Sequence, residues 1–86
     1  MTKYSLSFKK SVTKDLRNIP KQDIAKILHR IESLITNPIP EGSEKLSGQH
    51  RYRIRQGNYR ILYEIEDLML CITVVKIGHR RDVYRT

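Results

Sequence analysis

Cysteine is nearly absent from this chain: Cys71 is the single one among 86 residues. One cysteine cannot form an internal disulfide, and it excludes a zinc site built on several cysteines. Cys71 lies in an apolar stretch, so we interpret it as a small core residue. The fold must therefore be held together without an internal disulfide.

Long apolar runs are missing as well. No segment approaches the ~20 apolar residues that a membrane-spanning helix needs, and the N-terminus lacks the apolar core of a signal peptide. The expected compartment is therefore the cytosol, with no membrane partner. The length suits one domain, which we place over residues 1–86.

Acidic residues are few compared with basic ones. Only 9 Asp and Glu residues stand against 17 Lys and Arg residues, which gives a net charge of +8. Such a charge indicates an anionic partner, with nucleic acid as the leading candidate. The basic residues run from Lys3 to Arg85 and are not confined to one tail, which favours a folded basic surface over a basic arm.

The spacing of apolar residues predicts an α+β fold with the element order β-α-α-β-β-β. Residues 3–8 alternate like a strand, whereas residues 8–19 and 23–36 carry apolar side chains at helical spacing. Residues 68–77 are nearly all apolar, which predicts a last strand covered on both faces or nearly so. We expect the two-helix hairpin to pack on one face of an antiparallel sheet.

The most informative segment, residues 52–63, predicts a β-hairpin with two unlike faces. Gly57-Asn58 is a two-residue turn signal between alternating segments. With that loop, the opposing pairs are Gln56 and Tyr59, Arg55 and Arg60, Ile54 and Ile61, Arg53 and Leu62, and Tyr52 and Tyr63. Because strand side chains alternate, one face carries Tyr52, Ile54, Ile61 and Tyr63, and the other carries Arg53, Arg55 and Arg60.

The arginine side of this hairpin is the predicted functional surface. The helices need an apolar sheet face to pack on, so the arginine face is the one left open. Like charges directly opposite one another destabilise a sheet. Placing Arg55 opposite Arg60 therefore indicates a bound polyanion, with arginines that serve only solubility as the alternative.

Three segments together carry a resemblance to a known family. They are Leu46-Ser47-Gly48, the hairpin with its Tyr-Arg-x-Arg-x-Gly-x-Tyr-Arg-x-x-Tyr pattern, and residues 77–85 with Gly-His-Arg-Arg-Asp-Val-Tyr. In this order and spacing they resemble the RelE branch of the RelE/ParE superfamily, the toxins of type II toxin–antitoxin pairs. The resemblance covers essentially the whole chain.

The resemblance implies a ribosome-dependent messenger-RNA endoribonuclease. Such toxins cleave the message in the ribosomal A site without a metal or other cofactor and so inhibit translation. The 2′-hydroxyl of the RNA attacks the neighbouring phosphodiester. The implied partners are the ribosome, its messenger RNA and a cognate antitoxin protein that blocks the toxin.

The resemblance also implies a set of site residues. The catalytic candidates are Arg60, Arg80, His79 and Tyr84, and the RNA-binding candidates are Arg51, Arg53, Arg55 and Arg81. Arg60 and Arg80 would clamp the phosphate. His79 is the titratable candidate because an arginine is a poor base, and Tyr84 could stack on a nucleobase or orient the hydroxyl.

Two other functions fit the same residues. A ParE-like protein would inhibit DNA gyrase on the same fold without cutting RNA. A non-catalytic basic module would bind nucleic acid or the antitoxin, with an affinity for nucleic acid that falls steeply with salt and no cleavage.

Overall fold

A computed structural model describes residues 3–46 and 50–79 and shows two helices on a mixed sheet. The elements are β1 Ser5–Phe8, α1 Lys10–Arg17, α2 Lys21–Glu32, β2 Glu44–Lys45, β3 Arg51–Gln56, β4 Tyr59–Glu66 and β5 Cys71–His79. A 3₁₀ turn over Ser33–Ile35 continues α2. The predicted α+β class and the helix pair ahead of a three-strand meander are confirmed.

The strand order within the described residues is β1-β5-β4-β3-β2. The sheet differs in two ways from the purely antiparallel arrangement that the sequence predicts. β1 pairs with β5 in parallel, and the short strand β2 adds an edge beside β3. No tight turn joins β1 to β5, so the connection between them does not impose antiparallel pairing.

The core lies between the helices and one face of the sheet. Its most deeply buried side chains come from both layers: Val12, Ile27, Ile31 and Leu34 from the helical side, and Ile54, Ile61, Tyr63, Ile72, Val74 and Ile77 from the sheet. Burying one such aliphatic side chain contributes roughly 1.5–3 kcal/mol. The predicted apolar hairpin face therefore does pack beneath the helices.

Two polar contacts fix the elements and the loop around this core. The Asp15 carboxylate of α1 accepts a hydrogen bond from the backbone N–H of Ile77 in β5, at 3.0 Å. The Tyr63 hydroxyl donates to the carbonyl of Pro38, at 2.7 Å. The first contact fixes a helix against the sheet, and the second fixes the loop that follows α2.

The predicted start of the last strand is wrong. Leu68, Met69 and Leu70 lie in the turn between β4 and β5, and β5 begins only at Cys71. Leu68 is 95% exposed and Met69 76% exposed. The run of apolar residues carries no glycine or proline at this point, so hydrophobicity alone extended the predicted strand into the turn.

β5 is covered on its second face over only part of its length. On that face Val75 is buried with Leu62, and Leu46 packs against the pair as a separate small cluster. Cys71, Thr73 and Lys76 stay partly exposed. Among residues 3–46 and 50–79, no helix has the length and apolar character needed to cross a membrane.

Candidate nucleic-acid interface

The hairpin register brings the predicted arginines onto the sheet face away from the helices. Arg55 lies directly opposite Arg60, and Arg53 lies opposite Leu62. The turn is Gly57-Asn58, and Gly57 has a φ of 61°. A positive φ at the first turn position suits glycine and a type II′ hairpin, which keeps both strands in this register. The predicted pairing is confirmed.

The arginines on this face differ in their surroundings. Arg51 donates to the Glu64 carboxylate through Nη2 at 2.8 Å, and Arg53 pairs with Glu44 on β2. Arg55 is exposed and forms no salt bridge with the described residues. Two of the predicted RNA-binding side chains are therefore already held by carboxylates, and Arg55 is the most available of the three on β3.

Arg60 is 4% exposed and so departs from the expectation of a fully open arginine face. Its partner on β5 is Gly78, which has no side chain. Burying a charge is costly unless its surroundings compensate for it. Arg60 is therefore a cation that burial holds in place, opposite the exposed Arg55.

His79 lies on the other side of the sheet. It pairs with Tyr59, and the centroids of the two rings are 6.0 Å apart in an edge-on arrangement. Tyr59 packs against the helix-side core, and its hydroxyl donates to Asp23 of α2 at 3.3 Å. Desolvation and the nearby Asp23 carboxylate raise the pKa of Tyr59. His79 therefore lies on the face of the sheet opposite to the arginines, and its role as the titratable group stays a prediction.

The Tyr59–His79 pair borders two small cavities on the helix side, of 240 and 250 Å³. The first includes Asp15 and Asn18, and the second includes Asp23 and Lys26. Each cavity is lined by a carboxylate as well as by His79, whereas the arginine face carries the guanidinium groups of Arg55 and Arg60.

Three of the predicted site residues lie outside the described residues. They are Arg80, Arg81 and Tyr84. Ser47 and Gly48 of the first motif segment also lie outside them. Among residues 3–46 and 50–79, no group of three or more His, Cys, Asp or Glu side chains could hold a metal ion.

Sequence reasoning missed the acidic partners and one further cation. Glu64 lies opposite Arg51, and extending the hairpin register by one pair would have found it. Glu44 belongs to a two-residue strand in a loop-like segment, which gives no signal of its own. Lys76 lies opposite Leu62 and therefore on the arginine face. Its position follows only from the register of β5.

Comparisons of the chain with known proteins point to one family. Residues 6–84 match the model of a family described as the ParE toxin of the type II toxin–antitoxin system. A relative from Methanocaldococcus jannaschii named RelE1 is 33% identical over 87 residues, which cover 96% of this chain and 97% of the relative.

The chain belongs to the RelE/ParE superfamily. The toxin RelG of Mycobacterium tuberculosis is 28% identical over 95% of this chain and 97% of its own length. In the crystal structure of the archaeal RelE–RelB complex from Pyrococcus horikoshii, one chain superposes with a TM-score of 0.82. The two chains are 30% identical, with 95% of this chain and 99% of that chain covered. These RelE-named relatives place this member of the superfamily in the RelE branch and support its role as a toxin.

Proposed function

We propose that this protein is a ribosome-dependent messenger-RNA endoribonuclease and the toxin of a type II toxin–antitoxin pair. The observation that carries the proposal is Arg55 lying directly opposite the buried Arg60 on the face away from the helices. Two like charges held together by backbone pairing favour an anion between or above them. The RNA backbone is a polyanion that fits this requirement.

The proposed reaction consumes no reactant other than the RNA itself. The 2′-oxygen forms a bond to the adjacent phosphorus, and the bond from phosphorus to the 5′-oxygen breaks. The 2′-hydroxyl loses its proton, and the 5′-oxygen gains one. The products are a 2′,3′-cyclic phosphate and a 5′-hydroxyl.

The arginines would act on the charge that develops during this step. Negative charge grows on the phosphoryl oxygens as the 2′-oxygen approaches, and a fixed guanidinium stabilises it with little reorganisation. Arg60 is suited to that role because it is buried and stays charged at any working pH. Arg55 would bind the neighbouring backbone, and Arg80 is the proposed second phosphate clamp.

The proton transfers are assigned differently from the sequence-based expectation. Since the His79 ring lies against Tyr59 on the helix side, the proposal does not use it as the base that acts beside Arg60. Tyr84 is the proposed side chain at the 2′-hydroxyl.

We also propose that a cognate antitoxin protein binds and inhibits this toxin. The solved relative from Pyrococcus horikoshii is a complex of RelE with RelB. The product of the adjacent gene is the proposed partner here.

Primer extension on a messenger RNA in a purified translation system tests the nuclease. We expect new 3′ ends only on ribosome-bound message. Arg60→Ala should lower their yield by roughly 10²–10³-fold, the usual cost of removing one oxyanion-stabilising group. Arg17→Ala, on the exposed surface of α1, is the control that removes an equal charge. Equal activity of the two variants would contradict the proposal.

Arg60 is buried, so its replacement can also disturb the fold. Arg55→Gln provides a second test because this side chain is exposed and its loss should leave the melting temperature unchanged. Cleavage that falls in Arg55→Gln at constant stability would support the arginine face as the RNA site.

Inhibition of DNA gyrase is the second candidate, because the matching family model is described as the ParE toxin. A supercoiling assay run in parallel separates the two functions. Blocked supercoiling without RNA cleavage would assign the protein to the ParE-like activity. Inactivity in both assays would leave a non-catalytic binding module.

A further inference from the structure

The turn between β4 and β5 presents large apolar side chains to solvent. Leu68 is 95% exposed, Met69 is 76% exposed and Leu70 is 42% exposed. Leu70 also has a φ of 49°, a left-handed conformation that costs a non-glycine residue roughly 1–2 kcal/mol. Both the backbone strain and the exposure of three apolar side chains to water cost free energy. This combination indicates a surface that a partner covers.

A cavity of 590 Å³ lies beside this turn, and we call it the turn-end cavity. Its lining includes His50, Glu64, Glu66, Met69, Cys71 and Thr73. The Thr73 hydroxyl is hydrogen-bonded to the hydroxyl of Ser7 on β1 at 3.0 Å. Cys71 Sγ lies 3.8 Å from Ser7 Oγ. The cavity therefore combines an apolar wall at Met69 with hydroxyl and thiol groups that can hydrogen-bond a peptide.

The rim of the turn-end cavity is acidic, in contrast to the chain as a whole with its charge of +8. Glu66 lines the cavity and Asp67 follows it in the adjoining turn; both are exposed, and Asp67 accepts a hydrogen bond from Tyr4 at 2.9 Å. Glu64 is already paired with Arg51. Two carboxylates remain to attract a cationic partner, and they would repel RNA.

This surface is remote from the arginine pair. Arg60 and Glu66 are six residues apart along β4, which corresponds to roughly 20 Å of strand. The turn-end cavity and the Gly57-Asn58 turn lie at opposite ends of the hairpin. Changes at Glu66, Leu68 and Met69 can therefore be tested without altering the Arg55–Arg60 pair.

We propose that the turn-end cavity docks a segment of the antitoxin that inserts an apolar side chain between Met69 and Cys71. Flanking Lys or Arg residues of that segment would lie against Glu66 and Asp67. The proposal rests on the proposed toxin–antitoxin function and adds to it where one part of the antitoxin binds and what its chemistry is.

Cys71 supplies a direct test because it is the single cysteine of the chain and lines the cavity. The alkylation rate by iodoacetamide is measured by mass spectrometry for the free toxin and for its complex with the adjacent-gene product. We expect the complex to react at least about 10-fold more slowly, with equal rates once both are unfolded in urea. An unchanged rate in the intact complex would overturn the proposal.

Paired variants identify the groups responsible. The double change Leu68→Ser with Met69→Ser should weaken antitoxin binding about 10-fold or more, whereas Ile39→Ser, an exposed apolar control at 56%, should not. Glu66→Gln should weaken binding, and Glu41→Gln, another exposed glutamate, should leave it unchanged. Equal effects of a variant and its control would overturn the proposal.

Two further outcomes separate this inference from the proposed function. Ribosome-dependent cleavage by the free Leu68→Ser, Met69→Ser variant should equal that of the parent. If the parent shows no cleavage but its complex protects Cys71, the proposed nuclease function is wrong and the docking site stands. If Cys71 of the free toxin becomes protected as its own concentration rises, the occupant is a second copy of this chain, and the antitoxin proposal is wrong.

Discussion

At the scale of single residues, the burial of Arg60 affects how strongly its charge can stabilise a phosphate. Its place opposite Arg55 follows from the alternation around Gly57-Asn58. Its 4% exposure does not follow from that pattern, because depth depends on what the rest of the chain lays over the strand. A buried guanidinium loses little conformational freedom when a phosphate arrives. We therefore expect Arg60 to contribute more to transition-state stabilisation than an exposed arginine would.

Tyr63 provides a test of burial that is independent of function. Desolvation raises the pKa of its hydroxyl from 10.0 to about 12 in the folded protein. Between these values the unfolded chain loses the tyrosine proton while the folded chain retains it. The free energy of unfolding should therefore fall as pH rises from 10 to 12, by on the order of 1–2 kcal/mol after allowance for solvent screening.

Urea unfolding of the parent and of Tyr63→Phe across this pH range measures the effect. Below pH 10 the variant should be less stable by about 1 kcal/mol, because the hydrogen bond to the Pro38 carbonyl is lost. Above pH 10 the difference should shrink, since phenylalanine has no proton to lose. A difference that stays constant to pH 12 would show that Tyr63 titrates normally.

At the scale of elements, the contact between α1 and β5 depends on one side chain. Asp15 accepts a hydrogen bond from the N–H of Ile77, a residue that is 1% exposed. Asp15→Ala would leave that buried donor without its acceptor and should cost about 1–3 kcal/mol. The urea midpoint should fall at an unchanged m-value, whereas Lys14→Ala, on the exposed side of the same helix, should move it little.

Asp15→Asn separates the hydrogen bond from the charge. The amide keeps an acceptor oxygen, so most of the stability should return. If the asparagine variant were as unstable as the alanine variant, the carboxylate charge and not the hydrogen bond would be holding α1 against β5.

The elements also show what sequence reasoning can reach. The hairpin was predictable to the residue, because a two-residue turn and strict alternation fix the register. The turn at Leu68–Leu70 was not, because an apolar run looks the same in a buried strand and in an exposed turn. The face on which His79 lies was not predictable either, because its neighbours in sequence are arginines, whereas its face is set by pairing with Tyr59.

At the scale of the whole molecule, charge and apolar exposure are separated along the sheet. The end with the Gly57-Asn58 turn carries Arg55 and Arg60, and the other end carries Glu66, Asp67 and the exposed Leu68. These two groups of like charges lie at opposite ends of the hairpin, in a molecule whose net charge is +8. An approaching RNA and an approaching basic peptide would therefore be drawn to different ends.

This polarity makes the salt dependence of RNA binding a quantitative test. Each phosphate that the protein neutralises on a single strand releases counterions, so log K falls with log salt concentration by about 0.7 per contact. Arg55→Gln should reduce that slope by about 0.7 for a single-stranded RNA oligonucleotide. Lys21→Gln, at the exposed start of α2, removes the same charge from the helix side and should leave the slope unchanged. Fluorescence anisotropy between 50 and 300 mM salt would measure both. Equal reductions would mean that RNA binding depends on net charge alone. The arginine face would then not be the specific binding site for the RNA backbone.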